Sequence, residues 1–215
     1  MKTLTGNEHF YFDGMPTNFL LNDFWAWQAS DLLNNALRGV MAEFITATAL
    51  DLDTTQARQE WDAYDLLYEG RWKIEVKSSA YLQSWEQRNP SRVQFSIRPT
   101  RAWSSEEGYS DQIIRQSDLY TFCLFACEDR EKANPLLLNQ WEFYIIPTFV
   151  LNEQCGSQQS ISLSRLLSLH PEKADYGTLG ARIRRMLLRT TTTGRQEEID
   201  LLSRQIEAQE ALRGE

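Results

Sequence analysis

Cysteine and histidine are scarce in this chain, and each shortage removes a class of chemistry. Three cysteines, at 123, 127 and 155, are too few and too sparsely placed for a disulfide framework. Cys123 and Cys127 lie in the apolar run TFCLFAC, where buried free thiols are expected. Only His9 and His170 are present, neither close to the cysteines, so a zinc site lacks ligands. Histidine-based nuclease, phosphoesterase or triad chemistry lacks its base for the same reason. No apolar run approaches the ~20 residues of a membrane helix. The opening MKTLTGNEHFYFDGMP has no apolar core of a signal peptide. A cytoplasmic protein without membrane contact is the expectation. Positive charge is short as well, 22 Lys and Arg against 30 Asp and Glu, a net −8.

That balance is uneven along the chain. Residues 71–101 carry seven Lys and Arg against Glu75 and Glu86, and residues 181–195 carry five Arg and no acid. Local patches, not the total, decide what the surface can touch. With 42% hydrophobic and 12% aromatic residues in 215, the chain can bury a core of one domain with appendages.

The pattern divides into a polar, turn-rich N-terminal arm (1–21), a domain (22–190), and a linker with an amphipathic helix (191–215). Residues 22–50 have helical periodicity, with Ser30 or Asp31 as a cap and Leu33, Leu37, Val40, Met41 and Phe44 as an apolar stripe. Glu43 is the only acid between Asp31 and Asp51. Residues 51–60 are polar, a loop or short turn. VQFSIRP (93–99), DLYTFCLFAC (118–127) and WEFYIIPTFVL (141–151) read as strands, the last broken near its end by Pro147. Ser78 to Pro90 is a polar stretch, and the polar segment around 103–116 is compatible with a helix. Residues 162–170 and 179–189 also read as helices. TTTTG (190–194) reads as a linker, and Ile199, Leu202 and Ile206 give the last helix its stripe.

The stretch WDAYDLLYEGRWKIEVKSSAY (61–81) reads as a hairpin turning at Glu69-Gly70-Arg71. Period-two alternation points Trp72, Ile74 and Val76 one way and Lys73, Glu75 and Lys77 the other. Opposed positions sum to about 140, which sets Asp65 against Glu75 with Lys77 on the same face. Like charges facing across a hairpin are destabilising by a few tenths of a kcal/mol or more. A divalent cation reverses that sign. Mg²⁺ is commonly held by one or two carboxylates plus substrate phosphate, and Asp65, Glu75 and the Val76 carbonyl supply such a set. Mn²⁺ is the other candidate. Such an ion activates water and neutralises charge on a phosphoryl oxygen. Lys77 is then within reach of the attacking water or scissile phosphate, and Glu43 could complete the site or bind a second metal.

Helix with Glu43, then Asp65, then Glu75-Val76-Lys77, is similar to the PD-(D/E)XK nuclease superfamily, the restriction-endonuclease-like fold. EVKSS after a hairpin is a frequent form of its signature. The resemblance spans roughly residues 31–127 and departs where Tyr64, not Pro, precedes Asp65. Asp62 is a rival for the Asp role, on the opposite strand face. The resemblance implies an α/β fold, a central mixed β-sheet flanked by helices with an αβββαβ core. It implies metal-dependent hydrolysis of phosphodiesters, of DNA by the same analogy, in a prokaryotic defence, mobile-element or repair setting. It carries Asp65 and Glu75 over as metal ligands, Lys77 as catalytic lysine and Glu43 as auxiliary acid. Candidate nucleic-acid contacts are Ser79, Tyr81 and Gln83 beyond the motif. On the 181–195 stretch they are Arg182, Arg185 and Arg189, which share a helix face. Gln94 is a further candidate to point into the site, and Trp85 is either a base-stacking platform or a core anchor. The alternative is a catalytically silent nucleic-acid-binding or assembly subunit with the same fold. A homodimer or a partner protein is compatible with either.

Overall fold

The computed structural model describes residues 3–58, 64–104 and 108–190, with the backbone alone for 102–111. Its centre is a mixed five-stranded sheet flanked by helices, in strand order β11-β9-β8-β4-β3. The strands are β3 (Leu66–Tyr68), β4 (Trp72–Ala80), β8 (Leu119–Phe125), β9 (Trp141–Pro147) and β11 (Glu172–Ala174). β4 and β8 run parallel, with Glu75 beside Tyr120, and every other pair is antiparallel. β8 is buried along its whole length, which is why LYTFCLF is a continuous apolar run rather than an alternation.

Two apolar layers cover the sheet. On one face α2 (Asn35–Ala49) and α5 (176–190) set Ala42, Ile45, Leu179 and Ile183 against Ile74, Val76 and Cys123. The two helices meet at Gly180, where a Cβ would stand 1.8 Å from the Ala49 carbonyl oxygen. On the other face β5 (Gln94–Ser96) pairs with β10 (Ser160–Ser162), and α3 (Thr148–Cys155) and α4 (Leu163–Ser168) complete the layer. There Phe95, Ile161, Leu151 and Leu166 pack on Tyr120, Phe122 and Ile146. Pro147 ends β9 and stands as N-cap of α3, and the Ser162 hydroxyl caps α4.

Several expectations are corrected. α2 is capped by Asn34, whose Oδ1 accepts from the Ala36 and Leu37 amides, while Ser30 instead follows the last turn of α1 (Leu21–Ala29). Its buried face is Arg38, Ala42, Ile45 and Thr46, not the stripe through Val40 and Phe44, which are exposed. Small residues let α2 approach β4 closely, and the larger ones are displaced toward the rim. The polar stretch begins inside the sheet, since Ser78 to Ala80 are the last residues of β4.

The segment around 103–116 is no helix. β6 (Thr100–Ser104) and β7 (Gly108–Ile114) form an antiparallel hairpin there. Ser and Gly weaken a helix interior, and Tyr109, Ile113 and Ile114 favour strand. The N-terminal arm is likewise a hairpin, β1 (His9–Phe12) and β2 (Met15–Leu20), leading into α1. The linker and last helix expected over 191–215 lie outside the described residues, as does Asp62.

Candidate active site

The hairpin register is Leu66↔Ile74, so Asp65 faces Glu75. β3 is three residues long, and at its end the Asp65 carboxylate takes over from the backbone ladder. Val76 N–H donates to Asp65 Oδ2 at 2.7 Å. A charged acceptor makes this one of the stronger hydrogen bonds available to a strand edge, and it fixes the carboxylate over β4.

Lys77 joins the pair. Its Nζ lies 2.5 Å from Glu75 Oε1 and 3.5 Å from Asp65 Oδ2. The three side chains are mostly withdrawn from solvent, 27% exposed for Lys77 and 19% for each acid. Burial opposes the lysine's charge, but the two carboxylates override it and raise its pKa. Burial also raises Glu75. The Lys77 ammonium works against that rise, and the charges of Asp65 and Glu43 add to it. The two upward shifts have different causes, burial first for Glu75 and the neighbouring carboxylates for Lys77. Among the described residues, three carboxylates (Glu43, Asp65, Glu75) share two cations (Lys77, Arg58), one negative charge more than positive.

Glu43 reaches the cluster from α2 and is held by Arg58. Arg58 Nη2 donates to Glu43 Oε1 at 3.0 Å, and Arg58 Nε contacts Oε2. Glu43, Arg58, Tyr64 and Asp65 line one side of a cavity of about 350 Å³, which Phe44 and Leu66 close from the apolar side. Next to Glu75 in register, the Tyr120 hydroxyl is kept protonated, first by burial and then by the Glu75 charge. Burial pushes the Cys123 thiol up to about 12, so it is neither a nucleophile nor a ready metal ligand. All three cysteines are free, with Cys127 only partly buried.

The donor set suits a hard cation. Asp65 and Glu75 offer carboxylate oxygens that already converge on one positive centre, the Lys77 ammonium, and the surplus negative charge favours a second. Among the described residues, no three His, Cys, Asp or Glu side chains are grouped to hold a metal ion. Two carboxylates are fewer ligands than a cation held by protein alone requires, and Mg²⁺ sites of that kind are completed by water and substrate.

The other candidates are dispersed. Ser79 is buried on β4. Gln83 is buried in the loop after β4, its Nε2 donating to Ala80 O and Ser91 Oγ, while its Oε1 has no hydrogen-bond partner among the described residues. Tyr81 packs at the rim of the second apolar layer. Gln94 donates to Ser160 Oγ across β5 and β10, and Trp85 is exposed rather than a core anchor. Arg182 and Arg185 both bind Glu172 on β11, the edge strand opposite β3, and Arg189 continues the same helix. Glu172 is three strands from β4, so Arg182 and Arg185 are held away from the cluster, although the same helix crosses to β3, where Arg184 donates to the Tyr68 hydroxyl.

Arg58 was not anticipated. It is the only basic residue between Arg38 and Arg71, as isolated in its segment as Glu43 is among acids, and that paired isolation was the available signal. Comparison with protein-family models, with curated proteins and with solved structures yields no match. Among the described residues no helix is long and apolar enough to cross a membrane.

Proposed function

We propose that this protein is a metal-dependent nuclease that hydrolyses phosphodiester bonds of DNA. In this reading α2, β3, β4 and β8 belong to a restriction-endonuclease-like core. The observation that carries it is the convergence of Asp65 and Glu75, from facing positions of one hairpin, on the ammonium of Lys77. Opposed carboxylates weaken a hairpin, and a bound cation offsets that cost.

Asp65, Glu75 and the Val76 carbonyl would hold Mg²⁺ or Mn²⁺. When bound, such an ion supplies an activated water and a counter-charge for the phosphoryl oxygen. Lys77 then leaves its bridging position and presents its ammonium to the nucleophile or to the developing negative charge. In the metal-free cluster the two carboxylates hold it charged. Asp65 stays oriented by the Val76 amide. Glu43 joins the donor set when it parts from Arg58.

One observation favours the silent-subunit reading: Lys77 and Arg58 already neutralise most of the cluster from within. A single experiment separates the two. Supercoiled plasmid, linear duplex and single-stranded DNA are incubated with the protein in Mg²⁺, Mn²⁺ or EDTA, beside Lys77→Ala and Glu75→Ala. Metal-dependent cutting lost in both variants is the expected result. No cutting of any substrate, with calorimetry showing no metal binding and DNA binding unchanged in EDTA, would establish the silent subunit instead.

A further inference from the structure

The N-terminal hairpin and α1 carry a concentration of exposed aromatic surface that the proposed active site does not use. Between His9 and Ala29 no residue is buried, and none belongs to either apolar layer. Tyr11, Phe12, Met15 and Trp27 are 68%, 74%, 70% and 84% exposed. Phe10, Phe19, Phe24 and Trp25 are exposed to a lesser degree. β1 and β2 make a sheet of two strands, whose outer edges are unpaired among the described residues. The hydrogen bond from Thr3 Oγ1 to Thr55 O ties the segment to the domain.

A two-stranded hairpin is marginal in water unless another layer covers it, and apolar patches of this kind on a monomer mark an interaction site. We propose that this unit is a homodimer interface, on which the arm of one copy packs against the arm of a second. Area supports a second copy. Tyr11 points to the opposite face of the hairpin from Phe12 and Met15; at about 200 Å² for each large side chain, the other seven exposures come to at most roughly 800 Å² per chain. A standard interface buries about 800 Å² per partner. An isologous contact also matches the two patches by construction. Charge points the same way. Two chains of net −8 repel, and the arm, with Asp13 and Asp23 as its only charges between residues 9 and 29, is where they meet at least cost. The proposal does not depend on the nuclease reading.

The test is the mass of the full chain by light scattering after gel filtration, from about 1 to 100 µM, since standard-size interfaces are micromolar at their weakest. Wild type is expected to double in mass across or before this range. A triple variant, Phe12→Ser, Met15→Ser and Trp27→Ser, is expected to keep the mass of one chain at every concentration, with the melting temperature of dilute wild type. Hydroxyl-radical footprinting of the unmodified protein at both ends of the range gives an independent readout. Phe12, Met15 and Trp27 are expected to lose reactivity as the mass doubles. Wild type with the mass of one chain at every concentration, including a monomer whose arm is protected by its own chain, overturns the proposal. So does a dimer that survives the triple substitution, or one whose arm reactivity does not change as it forms.

Discussion

Lys77 holds its ammonium 2.5 Å from a carboxylate oxygen of Glu75, two residues back on the same strand face. Asp65 shares that ammonium from across the hairpin. Replacing Lys77 by Met leaves two mostly buried carboxylates facing each other without a cation. Breaking a fully buried pair costs about 3–5 kcal/mol and a surface pair about 0–1, so roughly 1–3 kcal/mol is expected here. Urea unfolding of Lys77→Met measures it. Mg²⁺ should then raise the melting temperature of Lys77→Met more than that of wild type, because an ion can settle where the ammonium was. An equal or smaller rise in the variant would count against Asp65 and Glu75 as the ion's ligands.

Glu75 gives the cluster a pH signature. Burial, with Asp65 and Glu43 behind it, raises its folded pKa above the ordinary 4.5. The folded protein therefore binds this proton more tightly than the unfolded chain. Its contribution to stability is complete below the unfolded value and is lost as pH rises through the folded one. Lys77 shifts in the same direction from 10.5, so its contribution persists through neutrality and is lost only in alkali. In Glu75→Gln the acid-side dependence disappears. The stability of Glu75→Gln relative to wild type should rise with pH from about 4 upward. A relative stability that is flat or falls over that interval would show that Lys77 outweighs burial at this carboxylate.

Arg58 can be examined by the same logic. Arg58→Gln removes one of the two cations and frees Glu43, so the cluster's surplus negative charge grows. Calorimetric titration with Mg²⁺ should show tighter binding than wild type. Unchanged or weaker binding would place Arg58 and Glu43 outside the metal's field.

The site was legible where the chemistry is local. Asp65, Glu75 and Lys77 lie within thirteen residues of one hairpin, and alternation plus a turn determine their faces. The register sum of 140 is the one observed. β8 and β9 were legible because buried strands are apolar throughout. The rest depended on partners distant in sequence. Nothing local tells Val40 and Phe44, at the rim, from Ala42 and Ile45, against the sheet. Arg182 and Arg185 looked like a phosphate strip because Glu172, ten and thirteen residues away, was not visible as their partner. The N-terminal hairpin is a different case. Asp13-Gly14, both at positive φ, is a strong two-residue hairpin signal, flanked by HFYF and MPTNFL. It was passed over because the opening residues, MKTLTGNE, set the arm as a whole down as polar and turn-rich.

The crossing of α2 and α5 hangs on one missing atom. Gly180 admits the Ala49 carbonyl to 1.8 Å from where a Cβ would stand, with the Ala49 carbonyl carbon at 2.9 Å. Both are backbone, so neither can rotate aside. Gly180→Ala must separate the helices and open the layer that contains Leu179, Ile183 and Ala42. Overpacking commonly costs about 1–3 kcal/mol, and a backbone clash belongs at or above the top of that range. A urea midpoint within error of wild type would mean that α5 can slide at no cost.

The turn of the central hairpin is less than optimal, and it can be improved without touching the cluster. Glu69 and Gly70 both adopt left-handed conformations, φ 52° and 65°, while Arg71 N–H closes the turn on Tyr68 O. Glycine accepts that conformation freely and glutamate does not, at about 1–2 kcal/mol for an L-residue. Asparagine is the side chain best suited to the position before glycine in such a turn. The Glu69–Arg71 pair that would be lost is 3.5 Å long with both side chains more than half exposed, and pairs of that kind contribute little. Glu69→Asn should therefore stabilise the protein by about 0.5–1 kcal/mol, a rise in melting temperature of about 1–4 °C for a chain of this size. Glu69→Ala, which removes the ion pair without relieving the backbone, should not raise it. If Ala and Asn behave alike, the turn is not strained at Glu69. If Asn alone gains, the hairpin that presents Asp65 and Glu75 has been stiffened from its far end, with the site itself unaltered.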